Sequence, residues 1–366
     1  VNDPRTLDEI ITPAAIVDTD RMTANLDKLA RYTAQHGLAL WPHTKTHKTP
    51  ELAQEQLRRG AAGLTVATLH EAAVMASVAS DILIAYPPVG HPKLERLAAL
   101  AERVRLTIAL DSREALDGVE AALHGTTLRV GVLVELDAGM HRVGVGAPDE
   151  AVALATAVAN GRNVDYEGVL FYPGHIREPV DQQKYVIVNT RALLNEFISA
   201  LIAARLGPHR VSGGSTPTAY VSHQFHVVNE IRPGTYIFND RTTSSVGACE
   251  WSECAYSVLA TVISTSVPNQ AVVDAGSKAL FREELRGVAD SGFGALLDQP
   301  DVVVKAMSEE HGLLDLARTS WRPRIGDRVR IVPNHVCVSV NLHDRLWLAR
   351  SAEIVGSYQV AARGWT

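Results

Sequence analysis

The sequence predicts an α/β protein: an (α/β)8 TIM-like barrel with a second, mainly β domain at its C-terminal side. Three observations carry that expectation. From Met22 to about Phe238, short apolar runs rich in β-branched residues alternate with longer segments of helical period. Eight such runs occur, the number that closes a parallel barrel. Beyond Phe238 helical period fades into strands joined by turns, and 366 residues exceed what one compact core usually holds.

Taken in order, residues 14–18 read as a strand that precedes a helix over 20–35, so pattern alone leaves its place open. The barrel strands are expected at 39–41, 63–67, 82–86, 106–111, 128–136, 166–172, 210–213 and 230–238. Ala- and Leu-rich amphipathic segments such as 49–59, 94–104 and 182–205 supply the helices between them. In the second domain, 256–263, 271–274 and 327–332 read as strands. No internal repeat, low-complexity tract or flexible linker separates the two parts, which are expected to pack rigidly.

Composition narrows the class of partner. A formal charge of −6 and a pI near 6.2 argue against nucleic acid or an anionic membrane, both of which need a concentrated basic surface. A small molecule is the expected ligand. Cys249, Cys254 and Cys337 are too few and too widely spaced for a disulfide framework, which fits a reducing compartment. Residues 1–5 show no basic segment followed by an apolar run, and no stretch of 18 apolar residues occurs, so a cytoplasmic protein without an address is expected.

In a barrel of this kind, the residues just after each strand converge on one mouth. Here these include His43 and Lys45, Thr68 and His70, Asp137 to Arg142, Tyr172 to His175, Gly213 to Thr218, and Arg232 to Tyr236. The segment Trp41-Pro42-His43-Thr44-Lys45-Thr46-His47-Lys48 leaves a strand with two lysines. A lysine there can be aimed at a carbonyl cofactor, although a solvated basic loop has the same composition. Ser212-Gly213-Gly214-Ser215-Thr216-Pro217-Thr218 offers open backbone amides and hydroxyls of the kind that wrap a phosphate; a surface turn is the plain alternative. Arg142 carries a planar fork suited to a phenolic or carboxylate oxygen, or else pairs with Asp137 across the turn. His335 and Cys337 follow the strand ending at Val332; in extended chain they share one face and can bind a single metal, imidazole with thiolate suiting Zn²⁺. A buried cysteine beside a satisfied histidine is the commoner structural outcome.

Together these segments resemble the fold-type III pyridoxal-phosphate enzymes, in the branch of eukaryotic-type D-serine dehydratase, D-threo-3-hydroxyaspartate dehydratase and D-threonine aldolase. The resemblance spans nearly the whole chain, through Thr12-Pro13-Ala14-Ala15-Ile16-Val17-Asp18, Pro42-His43-Thr44-Lys45, Asp137-Ala138-Gly139-Met140-His141-Arg142, Gly213-Gly214-Ser215-Thr216-Pro217-Thr218, Arg232-Pro233-Gly234-Thr235-Tyr236, Asp274-Ala275-Gly276-Ser277-Lys278, Glu309-Glu310-His311-Gly312 and Pro333-Asn334-His335-Val336-Cys337. It implies an alanine racemase-like fold in which residues 22–240 form the cofactor barrel and 1–21 with 241–366 form the β domain. It implies that Lys45, not Lys48, forms the Schiff base. Arg142 would sit near the cofactor's ring oxygen; Gly214, Ser215, Thr216 and Tyr236 would hold its phosphate; Tyr172 would line the cofactor site; and His335 and Cys337 would bind zinc. A homodimer is implied as well.

The implied reaction is dehydration of a D-3-hydroxy amino acid such as D-serine or D-threonine to a 2-oxo acid and ammonia. Lys45 would remove the α-proton, zinc would assist departure of the β-hydroxyl, and Tyr172 or His175 would donate or relay a proton. The alternative is a D-threonine aldolase, giving glycine and an aldehyde. In this branch dehydratases carry His-x-Cys and aldolases tend toward His-x-Asp with Mn²⁺ or Mg²⁺, so Cys337 favours dehydration. An amino-acid racemase would need a second base that the sequence does not locate, and a non-catalytic pyridoxal-phosphate carrier would not need the β domain.

Overall fold

The computed structural model describes residues 3–285 and 287–364. The outermost two residues at each end of the expected β domain, and Arg286 within it, lie outside the described residues. The chain divides into two compact units, one of residues 28–45 and 50–234, the other of residues 3–27, 46–49 and 235–364.

After β1 (Ala14–Asp18), the helix α1 (Thr19–His36) begins in the second unit and ends in the first. The first unit is then built from repeated strand and helix: β2 (Ala39–Leu40), α2 (Pro50–Arg58), β3 (Leu64–Val66), α3 (Leu69–Met75), β4 (Asp81–Ile84), α4 (His91–Ala101), β5 (Arg105–Leu110), α5 (Arg113–Leu123), β6 (Val130–Leu136), α6 (Pro148–Ala159), β7 (Val164–Phe171), α7 (Lys184–Ala203), β8 (Arg210–Gly213) and β9 (Glu230–Ile231). Its eight strands are parallel in the order β2-β9-β8-β7-β6-β5-β4-β3. The end strands β2 and β3 meet through a parallel bridge between His43 and Thr65, with the Thr65 N–H donating to Pro42 O at 3.0 Å, so the sheet curls into the expected barrel. Side-chain hydroxyls start two of the helices: Thr68 accepts from Glu71 N before α3, and Ser112 from Ala115 N before α5.

Alternate residues of each strand face inward. Trp41, Leu83, Ala109, Leu133 and Leu170 form one interior layer. Toward the N-terminal ends, Arg105 and Arg210 pair with Glu167, and Arg210 also with Glu230 while its guanidinium lies 4.3 Å from the Trp41 ring. Toward the C-terminal ends, two residues beyond Leu133, stands Glu135.

The last barrel strand is shorter than its sequence predicts. An extended run over 230–238 is replaced by β9, which ends at Ile231, and by a 3-10 turn at Thr235–Ile237. Pro233 has no N–H to continue a ladder, and the chain turns there. Among the described helices only α7 has the length and hydropathy to cross a membrane; it buries Ile187, Thr190, Leu194, Phe197 and Leu201 as the stripe of an amphipathic barrel helix.

The second unit is mainly β. It continues through α8 (Arg241–Ser245), β10 (Tyr256–Ser264), β11 (Gln270–Val273), α9 (Ser277–Leu280), β12 (Gly294–Leu296), β13 (Val304–Met307), β14 (Gly312–Asp315), β15 (Arg328–Pro333), α10 (Val336–Asn341), β16 (Arg345–Arg350) and β17 (Glu353–Gln359). The early strand β1 belongs here: it pairs antiparallel with β10 and parallel with β16, which settles the position that pattern left open.

Candidate active site

In the barrel unit, β2 runs out into a 3-10 turn at Thr44–Thr46, whose middle residue is Lys45. The turn is fixed on both sides: His43 N donates to Pro233 O at 3.0 Å, and Thr44 Oγ1 donates to Thr65 O at 3.2 Å. Lys45 is half-buried, with Nζ 5.8 Å from the centroid of the Tyr172 ring. The Arg142 guanidinium lies 5.1 Å from the centroid of that same ring. Three residues from three strand ends therefore meet around one phenol. Lys48 is placed differently: it has φ of 53°, is buried, and donates Nζ to Asn341 Oδ1 at 2.8 Å. The two lysines that the sequence leaves interchangeable are distinct in the fold.

The loop after β6 brings Arg142 to Tyr172. Asp137 Oδ1 accepts from the N–H groups of Gly139 and His141 at 3.0 and 2.9 Å, and its Oδ2 lies 2.7 Å from His141 Nδ1. Asp137 thus pairs with His141, not with Arg142 across the turn. The loop then folds back, Gly144 N donating to Asp111 Oδ2 at 3.0 Å and Val145 N to Glu135 O at 2.9 Å. Gly144 has φ of 105°, and a Cβ there would stand 2.5 Å from Asp137 N, so only glycine permits this return.

His175 packs its imidazole on Gly139, where a Cβ would come within 3.2 Å of Cε1 and Nε2. Its Nδ1 is buried without a hydrogen-bond partner among the described residues, and burial pulls its pKa below the usual 6.5. It thereby reaches the loop after β6.

After β8, Gly213 lies against Phe171, whose ring would be 2.2 Å from a Cβ, and Gly214 takes φ of 89°. Ser215 N donates to Thr218 Oγ1 at 3.1 Å. Thr216 Oγ1 is buried and has no partner among the described residues, as expected of a hydroxyl whose ligand is a bound oxyanion. The loop therefore fits a phosphate. Beneath it, fully buried Arg232 donates to Ser212 Oγ at 2.5 Å and to Phe171 O at 2.8 Å. Burial first, opposed by Glu230 and Glu135, leaves its pKa at about 10. Tyr236 lies in the other unit, buried within the turn Thr235–Ile237.

In that second unit His335 and Cys337 do not lie on extended chain. His335 is the N-cap of α10, and Cys337 is in its first turn. The reason is Asp240, a fully buried carboxylate that the sequence analysis missed. Its Oδ2 accepts Val336 N at 3.1 Å and stands 3.5 Å from His335 Nδ1, while its Oδ1 caps α8 through Thr243 N at 2.8 Å. The sequence signal was there: Asp240 followed at the third position by Thr243 is a capping pattern, Thr243 Oγ1 returning to Asp240 N at 2.8 Å. Despite the lost extended geometry, His335 and Cys337 stay within electrostatic reach of each other at the start of α10. Cys337 first, and Asp240 after it, hold the imidazole well above its usual pKa against the effect of burial. Thr46 Oγ1 is 3.2 Å and Thr235 Oγ1 3.7 Å from Cys337 Sγ. Imidazole and thiol within reach of each other, with the carboxylate beside the imidazole, suit a borderline-soft divalent cation that keeps other positions open. Among the described residues no cluster of three or more His, Cys, Asp and Glu has metal-binding geometry, so this remains a two-residue donor set.

The parallel barrel presents a lysine, a tyrosine, an arginine and a glycine-serine-threonine loop at its strand ends, and residues 17–242 match the alanine racemase N-terminal domain. Residues 255–349 match the serine dehydratase domain. The chain belongs to the family of pyridoxal-phosphate-dependent lyases in which those two domains are combined. It is 34% identical to D-threo-3-hydroxyaspartate dehydratase of Delftia sp. over 91% of this chain and 93% of that protein. It is 30% identical to D-threonine aldolase of Arthrobacter sp. over 98% of this chain and 94% of that one. The crystal structure of D-threonine aldolase from Filomicrobium marinum superposes with a TM-score of 0.91 at 32% identity, covering 100% of this chain and 99% of that one.

Proposed function

We propose that this chain is a pyridoxal-phosphate- and zinc-dependent dehydratase that converts D-3-hydroxy amino acids such as D-serine or D-threonine to a 2-oxo acid and ammonia. The observation that carries the reading is the proximity of His335 and Cys337, a donor pair suited to zinc, in a family whose curated members include dehydratases of D-3-hydroxy amino acids. When bound, pyridoxal phosphate supplies an electron sink for the substrate α-carbon, and zinc a Lewis acid for its β-hydroxyl.

The chain's own groups do the rest. Lys45 would anchor the cofactor, and its amine would be the base for the α-proton. Arg142, lying over the Tyr172 ring, would donate to an oxygen of the cofactor, and Tyr172 would line its site. Gly214, Ser215 and Thr216 would hold the phosphate, with the unpartnered Thr216 Oγ1 as one donor. His175, kept largely neutral near pH 7 by burial, donates or relays a proton, as does Tyr172. Residues 22–240 are assigned to the cofactor barrel and 1–21 with 241–366 to the β domain bearing His335 and Cys337, in a cytoplasmic homodimer.

Relatives at comparable similarity include D-threonine aldolases, so aldol cleavage is the second reading. Protein loaded with pyridoxal phosphate and zinc should convert D-threonine to 2-oxobutyrate and ammonia. Glycine with acetaldehyde would instead establish the aldolase. A Lys45→Ala protein should lack the absorbance band of covalently anchored cofactor; its persistence would overturn the lysine assignment.

A further inference from the structure

The loop that fits a phosphate is held from outside by a buried amide. Gln183 stands at the joint where the segment after β7 enters α7, and it is 0% exposed. Its Nε2 donates to Glu178 O at 2.9 Å and to Pro217 O at 3.3 Å. Turning the amide over would set its oxygen against those two carbonyls, so the orientation is forced. It leaves Oε1 buried with no partner among the described residues. An unpaired buried oxygen is destabilising, and an apolar side chain of the same length would fill the space without that cost. What its N–H groups hold, and not packing, explains the amide.

Both carbonyls belong to segments of the candidate site. Pro217 follows Thr216 in the loop after β8. Within that loop Thr218 Oγ1 donates to Ser215 O at 3.3 Å and Ala219 N to Thr216 O at 3.1 Å, whereas Pro217 O is met from another segment, by Gln183. Glu178 lies in the turn that follows Tyr172. There Ile176 N donates to Pro173 O at 3.1 Å and Arg177 Nε to Gly174 O at 3.1 Å, and Gly174 lies so close to the Tyr172 ring that a Cβ would not fit. One amide thus ties the loop of Thr216 to the turn packed on Tyr172. Its own backbone is fixed, since Gln183 O accepts Ile187 N at 2.9 Å at the start of α7.

We propose that Gln183 is a positioning residue for the cofactor's phosphate: by holding Pro217 O to the start of α7, it fixes the Thr216 hydroxyl and the neighbouring backbone amides for the phosphate oxygens. This rests on reading Gly213 to Thr218 as the phosphate loop. Methionine at position 183 would keep the length of the side chain but offer no N–H, which frees Pro217 O and lets the loop shift. The loss then falls on the phosphate. The linkage at Lys45, on another strand end, does not depend on this amide.

The test compares the affinity of the cofactor-free protein for pyridoxal phosphate with that for pyridoxal, which lacks the phosphate. Both are followed by the absorbance band of the covalently anchored ring in the wild type, Gln183→Met, Thr216→Val and the double variant. Gln183→Met should weaken pyridoxal phosphate about tenfold and pyridoxal by less than about twofold. A general loosening of the fold would weaken both alike. In the Thr216→Val background, Gln183→Met should cost about threefold or less, because the hydroxyl it positions is gone. An unchanged ratio of the two affinities in Gln183→Met, or equal costs in both backgrounds, overturns the proposal. A wild type that binds the two compounds equally overturns the reading of the loop, and the proposal with it. Should Gln183→Met not fold, Gln183→Asn, whose amide is one methylene short of the two carbonyls, gives the same comparison with the same expected loss of preference.

Discussion

Replacing Asp240 by alanine removes a carboxylate that serves two helix starts at once. In the wild type Oδ1 accepts Thr243 N at 2.8 Å and Thr243 Oγ1 at 2.9 Å, and Oδ2 accepts Val336 N at 3.1 Å. Loss of the cap on α8 costs about 1 kcal/mol. Val336 is fully buried, so its N–H finds no water, and leaving it unpaired costs about 1–3 kcal/mol more. The expected total is about 2–4 kcal/mol, a large part of the ~5–15 kcal/mol that holds a typical domain folded. Urea denaturation with chelator present isolates this from any metal contribution. Asp240→Asn should lose less, because its carbonyl can still cap α8. Both variants should bind zinc about 10- to 100-fold more weakly in a competition titration, because His335 loses the group beside Nδ1. An Asp240→Ala protein within about 0.5 kcal/mol of wild type would refute the hydrogen-bond argument, and unchanged zinc affinity would separate Asp240 from the metal residues.

The remaining predictions concern charge and metal. Glu135 titrates at about 7 in the fold against 4.5 ordinarily, chiefly through burial, so the folded state holds its proton more tightly than the unfolded chain. That contribution to stability is fully present below about pH 4.5 and is lost as the pH rises through about 7, a change of about 3 kcal/mol at most. Glu135→Gln should therefore flatten the fall in stability between pH 5 and 7, as read from urea midpoints across that range; an unaltered slope would deny the raised pKa. Cys337→Ala should lose at least tenfold in zinc affinity and most of its dehydratase activity, while keeping the band of bound pyridoxal phosphate. Undiminished zinc content and activity would remove Cys337 from the metal site.

The barrel was legible because its evidence is local. Each strand from β3 to β8 is a short, mostly buried run containing β-branched residues, and the helices between them carry apolar stripes of their own. The same locality explains the failures. Residues 230–238 read as continuous strand because Tyr236, Ile237 and Phe238 are apolar, yet Pro233 turns the chain after Ile231. Residues 335 and 337 read as strand-like because they follow β15. There the deciding group is Asp240, which accepts Val336 N across 96 residues of sequence and begins a helical turn. No window of adjacent residues contains that information. The lysines show the same limit: Lys45 and Lys48 share a loop and a composition, and only distant Tyr172 and Asn341 distinguish them. Residues proposed to carry chemistry by themselves, Lys45, His335 and Cys337, are singled out by type and position in the sequence. Asp240 acts through a partner distant in sequence and becomes visible only in the fold. Its effect should accordingly appear as coupling between a pair of variants, Asp240 with His335, more clearly than in either single substitution.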